Sequence, residues 1–262
     1  MSSCHLFFLP SEIIWKIIQL LDPIDLSNTR QSCKRLRTYC DHPSNWTTIT
    51  LAPSPSSGAL DLWNLSTLQF ILQPHLALIK TIKIWGVRDN IIRYLLTSCS
   101  CLENLTICSW ITLSDHAFSK QLTIPLSLRT LRLNGQQHFT SLDAATFAKL
   151  ISNCPRLEEV YVTNCKIHIQ AEALLDGVSL GGESLKLLVV ATKRTWSSYH
   201  VTRLFQVCSS LKYLALLSGS SDTVDLSLSG RMYHMPSVLE KDVQYIQERE
   251  IKEFDNIIVY ST

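Results

Sequence analysis

Cysteine, histidine and aspartate residues gather near the middle of the 262-residue chain, where they could bind a metal or serve in hydrolysis. Cys99, Cys101 and Cys108 are close enough in sequence to supply thiolate ligands to zinc. Their spacing argues against a zinc site, because Cys-x-Cys is not the usual Cys-x-x-Cys knuckle and no second pair follows. Asp115 and His116 could belong to a hydrolase triad, but no Gly-x-Ser-x-Gly elbow supplies the nucleophile. We predict no catalytic residue and no metal site.

Motifs that bind phosphates or cofactors are missing from the sequence as well. Neither Gly-x-Gly-x-x-Gly nor Gly-x-x-x-x-Gly-Lys occurs, and Gly181-Gly182 is typical of a loop. The 24 basic and 22 acidic residues leave a net charge of only +2, which does not favour nucleic-acid binding. No stretch approaches the roughly 18 uninterrupted apolar residues of a membrane span. We expect no cofactor, no nucleic-acid partner and no membrane insertion.

The cysteine count indicates a reducing compartment. The chain has nine cysteines, an odd number, and its apolar run at residues 6–9 has no basic start and is too short for an export signal. We therefore expect reduced thiols in a protein of the cytoplasm, the nucleus or both.

The first candidate for a binding surface is a helix predicted at residues 12–21. At about 100° per residue, its apolar side chains cover an arc of roughly 220°, about twice what a small domain needs to bury. Only Glu12, Lys16 and Gln19 remain for water. The surplus apolar surface must contact either a following domain or another protein.

Further helix signals follow this segment. Pro10 suits the start of the first helix, Pro23 ends it, and Asp25 can cap a second helix. Cys33, Leu36 and Tyr39 then recur at helical spacing. The basic residues Lys34, Arg35 and Arg37 could form a nucleic-acid patch, but a solvated helix face is the favoured interpretation.

In this order of residues, the segment 9–46 resembles the F-box, which binds the Skp adaptor of a cullin-RING ubiquitin ligase. An N-terminal helical cap on the following domain is the alternative interpretation. The resemblance implies that the adaptor is contacted by Leu9, Pro10, Ile13, Ile17, Leu20, Leu21, Leu26 and Trp46. We expect some of these residues to belong to the core instead.

A repeated apolar motif occupies the rest of the chain. It has the form Leu-x-x-Leu-x-Leu, with Ile or Val allowed, and begins at Leu102, Leu128, Leu157, Leu185 and Leu211. Subtracting these positions gives spacings of 26, 29, 28 and 26, within the range of leucine-rich repeats. An earlier unit begins at Ile79, and Trp46-x-x-Ile49-x-Leu51 is a possible first strand.

Helical periodicity between the motifs, at 88–98, 142–153 and 198–207, predicts a strand followed by a helix in each repeat. Cys99, Cys154 and Cys208, each three residues before a motif, resemble the cysteine-containing leucine-rich repeats often fused to F-boxes. The predicted fold is α/β, a short all-helical F-box followed by a leucine-rich-repeat solenoid with parallel strands on the concave side and helices on the convex side. The predicted bounds are 1–45 for the F-box, 46–217 for the solenoid with a loop at 52–60, and 218–262 for a C-terminal cap or tail.

Alternate strand residues should point away from the core, onto the concave face. The predicted target contacts there are Trp85, Arg132, Tyr161, Leu187, Val189 and Tyr213. The late part of this face is apolar, so something should cover it. Either the chain's own tail, with an amphipathic helix at 238–254 and a strand or docking segment at 257–260, or a bound target could do so.

The two resemblances together imply a non-catalytic substrate-recognition subunit of an SCF-type E3 ubiquitin ligase. Its partners would be a Skp-type adaptor, the cullin and RING subunits reached through that adaptor, and a target protein. Its part in protein ubiquitination and ubiquitin-dependent degradation would be to bring the target close to the charged enzyme. The alternative is a leucine-rich-repeat interaction scaffold without a ubiquitination role.

Overall fold

A helical N-terminal part leads into a ten-stranded β-sheet in the computed structural model of this chain. The structure describes residues 8–52, 62–111, 125–135, 141–163, 166–168, 171–192, 197–218, 228–234, 246–254 and 257–260. The predicted loop at 52–60 lies outside these ranges except for Ala52, and Asp115 and His116 lie outside them entirely.

Three short helices and one 3-10 turn form the N-terminal part, which we call the helical module. They are α1 (Ser11–Ile18), α2 (Pro23–Ser32), α3 (Lys34–Cys40) and the turn Pro43–Asn45. The cap of α2 is Asp22, whose side chain accepts a hydrogen bond from the Asp25 backbone N–H at 2.8 Å. The prediction that Asp25 is the cap was therefore wrong by one turn, because Pro23 takes the first helical position.

The strands of the sheet lie side by side in the order in which they occur along the chain. Its strands are β1 (Thr48–Leu51), β2 (Thr81–Trp85), β3 (Asn104–Trp110), β4 (Thr130–Gly135), β6 (Glu159–Thr163), β8 (Leu187–Thr192), β9 (Tyr213–Ser218), β10 (Leu228–His234), β11 (Ile246–Phe254) and β12 (Ile257–Tyr260), which neighbour one another in this order. A separate parallel pair consists of β5 (Ser141–Asp143) and β7 (Lys166–His168). The remaining helices are α4 (Leu65–Leu72), α5 (Asp89–Ser98), α6 (Ala144–Ser152), α7 (Ala171–Val178) and α8 (Ser198–Val207), with a 3-10 turn at Gln73–His75.

The repeated motif explains the parallel part of the sheet. Each motif places its fourth and sixth residues on the helix-covered side, and equivalent positions pair in register, as with Leu105 and Leu131. These motif side chains are buried wherever the structure describes them. Parallel neighbours require a crossover, and helices α5, α6, α7 and α8 provide it after β2, β4, β7 and β8. The α/β prediction of parallel strands alternating with helices is confirmed at this level.

The C-terminal strands extend the sheet with antiparallel pairing. Strand β10 pairs antiparallel with β9, β11 with β10, and β12 with β11. The predicted helix at 238–254 was therefore wrong over 246–254, which form β11, and its remainder, 238–245, lies outside the described residues. Long-range strand pairing overrides the local helical periodicity there.

A buried aromatic pair lies between the end of the helical module and the 3-10 turn that follows α4. The indole of Trp46 stacks on the imidazole of His75, with ring centroids 3.9 Å apart and planes at 15°. The Trp46 indole N–H also donates to the Cys40 carbonyl at 2.7 Å. Beside them, Arg30 binds Asp41 through two hydrogen bonds of 2.7 and 3.2 Å. The two parts of the chain therefore share one hydrophobic core.

Burial of His75 makes the stability of this junction sensitive to pH. Burial lowers the pKa of His75 to about 4, although Asp41, whose Oδ1 lies 3.4 Å from Nε2, acts in the opposite direction. Between pH 6.5 and 4 the unfolded imidazole binds a proton that the folded one does not, so stability falls as the pH falls through that window. We expect the free energy of unfolding to drop by about 2 kcal/mol from this group between pH 7 and pH 5.

Urea unfolding followed by circular dichroism at both pH values checks this expectation. His75→Phe keeps a ring against Trp46 but has no proton to gain, so its pH-dependent loss should be smaller by the same 2 kcal/mol. Equal losses in the two proteins would show that His75 does not control the response.

Candidate protein-interaction surfaces

Four large apolar side chains stay exposed on the helical module, and we call them the apolar face. They are Leu9, Ile13, Ile17 and Leu20, and they follow one another at spacings of three or four residues. Leu20 is 85% exposed and Ile13 is 41% exposed. Phe8 lies beside them in sequence and is also exposed. An exposed apolar patch of this kind marks an interaction site rather than a core.

The other side of α1 packs inward. Ile14 and Ile18 are buried in the hydrophobic core, and Trp15 packs edge-on against His42 with ring centroids 4.6 Å apart. The wide apolar arc of the sequence therefore divides into a core side and an exposed side. Among the residues that the structure describes, neither the sheet nor the other helices cover the exposed side.

Two of the residues predicted to contact an adaptor belong to the core instead. Leu26 is 3% exposed and Trp46 is 0% exposed, so neither offers side-chain surface to a partner. Their match to the motif reflects packing within the helical module and against the sheet. Leu21 is half-buried against the same core, while Pro10 is exposed and precedes α1.

A cleft of about 800 Å³ lies next to the apolar face. The end of α1 and the start of α2 form one wall, which includes Leu20 and Pro23. The outer edge of β1, with Thr48 and Thr50, forms the other wall. A partner bound on Leu20 could therefore extend into this cleft.

The second candidate surface is the side of the sheet that faces away from the helices, which we call the open face. Side chains form three rows across it, of which two are in register from β1 to β9 and the third is interrupted where the register of β3 shifts. The middle row runs Thr50, Lys83, Thr106, Arg132, Tyr161 and Val189. Alternation along each strand places these residues opposite the core.

The two cationic side chains of the middle row, Lys83 and Arg132, each lie over an aromatic ring. The Lys83 Nζ lies 4.7 Å from the centroid of the Trp85 ring, and the Arg132 Cζ lies 4.8 Å from that of Tyr161. The Arg132 Nη2 also lies 3.4 Å from an oxygen of Glu159. Burial raises the pKa of the Tyr161 hydroxyl, so the phenol stays neutral at physiological pH. The arrangement offers cations and apolar rings together, as protein interfaces do.

The structure corrects the predicted open face at two positions. Val189 is 0% exposed and cannot contact a target directly. Cys108, which pairs with Trp85 across β2 and β3, is also buried. The register of β3 against β4 shifts between Ile107 and Trp110, where Ser109 has a φ of +54°. Trp85, Arg132, Tyr161 and Leu187 are half-buried, and Tyr213 is exposed. These five retain surface for a partner.

Sequence reasoning missed a ladder of charges beside the open face. The residue before each of β2, β3, β4, β6, β8 and β9 carries a charge, in the order Lys80, Glu103, Arg129, Glu158, Lys186 and Lys212. Neighbouring members of the first five form ion pairs, from 2.6 Å for Lys186 with Glu158 to 4.0 Å for Arg129 with Glu158. The second position of every motif contains these residues, so reading that position across the repeats would have found them. Exposed pairs of this kind add little stability.

The cysteines of the repeats are structural in the described part of the chain. Burial raises the pKa of Cys99, Cys154 and Cys208 to about 12, so all three are neutral thiols. Among the described residues, no three His, Cys, Asp or Glu side chains converge as a metal site would require. None of the described helices combines the length and the apolar character of a membrane span.

Comparison with known families identifies the helical module. Residues 6–52 match the family model described as F-box-like, which covers 47 of the 262 residues. The chain therefore contains an F-box-like domain, followed by a parallel sheet with helices that the match does not reach. No curated protein matched the chain.

Proposed function

We propose that this chain is the substrate-recognition subunit of an SCF-type ubiquitin ligase. Its F-box-like domain would bind a Skp-type adaptor, and its open face would bind a target protein. The observation that carries the proposal is the exposed apolar face of Leu9, Ile13, Ile17 and Leu20 within the matched domain. We interpret the sheet and helices that follow as leucine-rich repeats in a solenoid, with the open face as its concave side.

The role assigned to the chain is to hold two proteins at a fixed separation. The junction at Trp46 and His75 supports this role, because a stacked, buried pair ties the helical module firmly to the sheet. A target on the open face would then have a defined position relative to the adaptor. Orientation and effective concentration would be this chain's contribution, while the ubiquitin-charged enzyme on the cullin arm performs the chemistry.

The adaptor contact is proposed for Leu9, Pro10, Ile13, Ile17, Leu20 and Leu21. On the open face the proposed target contacts are Trp85, Arg132, Tyr161, Leu187 and Tyr213. Burial of the apolar face against the adaptor would supply most of the affinity, at about 25 cal/mol for each Å² removed from water. We place the complex in the cytoplasm, the nucleus or both.

Size-exclusion chromatography of the purified chain mixed with a Skp-type adaptor tests the proposal. We expect the two proteins to elute together in a one-to-one complex. Separate elution of folded chain and adaptor would contradict it and favour an interaction scaffold that does not deliver targets to the ligase. Accumulation of a bound partner in cells that express Leu20→Asp in place of the wild type would support a ligase receptor, because a scaffold predicts no accumulation.

A further inference from the structure

The outer edge of β1 carries main-chain groups that no described strand pairs with. Among the residues that the structure describes, β1 is the outermost strand of the sheet. On its inner edge, the Thr81 backbone N–H donates to the Thr47 carbonyl at 3.0 Å. The backbone groups of successive residues alternate between the two edges of a strand, so those of Thr47 and Ile49 face β2. The N–H and C=O groups of Thr48 and Thr50 therefore point outward, into the cleft that these two residues line.

The sequence of β1 does nothing to protect this edge against pairing. Natural sheets protect exposed edges with charged residues, with proline or with bulges. Strand β1 reads Thr-Ile-Thr-Leu, and its pairing with β2 runs without a shift from Thr48 to Leu51. Its β-branched residues favour extended backbone. A strand of this size is about 13 Å long, which suits a partner strand of about four or five residues.

The wall of the cleft opposite β1 is apolar. Leu20, Leu21 and Ile24 line it, and each keeps some exposed surface. Of the described residues around the cleft, Asp22 alone is charged, and its side chain caps α2. Helix α2 packs on the core side of β1. In a strand added at the edge, every second side chain would therefore contact the apolar wall, and the others would face solvent.

The cleft continues the apolar face, and this continuity indicates which partner reaches it. Leu20 belongs to both surfaces and is 85% exposed. A protein that buries Ile17 and Leu20 would lie at the mouth of the cleft. A segment of the same protein would then meet the edge of β1 at a high effective concentration, because its position is already restricted.

We propose that a short extended segment of the Skp-type adaptor adds to the outer edge of β1 as a further strand of the sheet. The inference rests on the proposed function and names a second contact with the same partner. The backbone of the segment would form hydrogen bonds with Thr48 and Thr50, and its alternate side chains would cover Leu21 and Ile24. Main-chain pairing supplies affinity in this mode of binding, and the apolar wall supplies the preference for apolar residues at alternate positions.

Amide hydrogen exchange, measured by NMR on the full-length chain alone and with a Skp-type adaptor, tests the pairing directly. In the free chain the Thr48 and Thr50 amides should exchange rapidly, whereas the Ile49 amide, which faces β2, should exchange slowly. Adaptor binding should slow the exchange of Thr48 and Thr50 by at least about tenfold. Unchanged exchange in a complex that has formed would overturn the inference. Slow exchange of both amides in the free chain would also overturn it, because this chain would then cover its own edge.

Two substitutions at Thr50 separate main-chain pairing from side-chain contact. Thr50→Pro removes the outward N–H and places the proline ring in the cleft, while the hydrogen bonds of β1 to β2 stay intact. Thr50→Val keeps the N–H and the branched shape of the side chain. We expect Thr50→Pro to weaken adaptor binding about tenfold, the effect of losing one or two hydrogen bonds, and Thr50→Val to bind as the wild type does. Equal binding by the two variants, with folding checked by circular dichroism, would overturn strand addition.

Comparison with Leu20→Asp distinguishes failure of this inference from failure of the proposed function. If Leu20→Asp loses adaptor binding and Thr50→Pro does not, the proposed function stands and strand addition is wrong. If the folded wild-type chain does not bind the adaptor, both are wrong.

Discussion

Replacement of Leu20 by aspartate should weaken binding of a Skp-type adaptor by at least about 100-fold while leaving the chain folded. Leu20 lies just after α1 and is 85% exposed, so its side chain contributes little to the core. An adaptor that buries this position would enclose an unpaired carboxylate in an apolar contact, which costs several kcal/mol. Isothermal calorimetry or chromatography of wild type and variant measures the loss.

The matched control is Phe70→Asp on α4. Phe70 is an exposed apolar residue outside the helical module, so this change introduces the same charge at a comparable surface. We expect Phe70→Asp to keep full adaptor binding. Undiminished adaptor binding by a folded Leu20→Asp variant would show that the apolar face is not the adaptor contact.

Replacement of Trp46 by alanine should reduce the free energy of unfolding by about 4 kcal/mol. Trp46 is fully buried, stacks on His75 and donates to the Cys40 carbonyl. The substitution removes the stacked ring and leaves a cavity at the junction, a change that typically costs about 3–5 kcal/mol. Since small domains are stable by only about 5–15 kcal/mol, this loss is a large part of the total stability.

Urea unfolding followed by circular dichroism measures this effect. Trp85→Ala is the matched control, because it removes the same side chain from the half-buried open face, and we expect it to cost about 1 kcal/mol. Trp46→Phe should fall between the two, since it keeps a ring against His75 and loses the indole N–H. A loss below about 1 kcal/mol in Trp46→Ala would contradict the shared core of helical module and sheet.

Local pattern was enough to predict several elements closely. Leucine spacing placed the strands that begin at Asn104, Thr130 and Glu159, and the helix predicted at 198–207 is α8. A strand or helix buries residues at a fixed period, so one-dimensional spacing carries this information. The F-box resemblance had the same basis, and residues 6–52 match the F-box-like family.

Exposure was decided only by tertiary packing. Leu20 and Leu26 both fit the motif, yet one faces solvent and the other the core, because the neighbours that cover a side chain come from distant parts of the chain. Trp46 is buried because His75, 29 positions later, stacks on it. Position in a motif does not record such contacts.

Backbone irregularity and long-range pairing account for the other differences. Ser109 has a positive φ where the register of β3 against β4 shifts, an irregularity that period-2 alternation cannot predict. Residues 246–254 form a strand beside β10 despite a helical apolar pattern. By itself the sequence determined the spacing of strands and helices and the character of each face. Only the tertiary structure decided which members of each face remain free to bind, because burial depends on contacts between residues far apart in the chain.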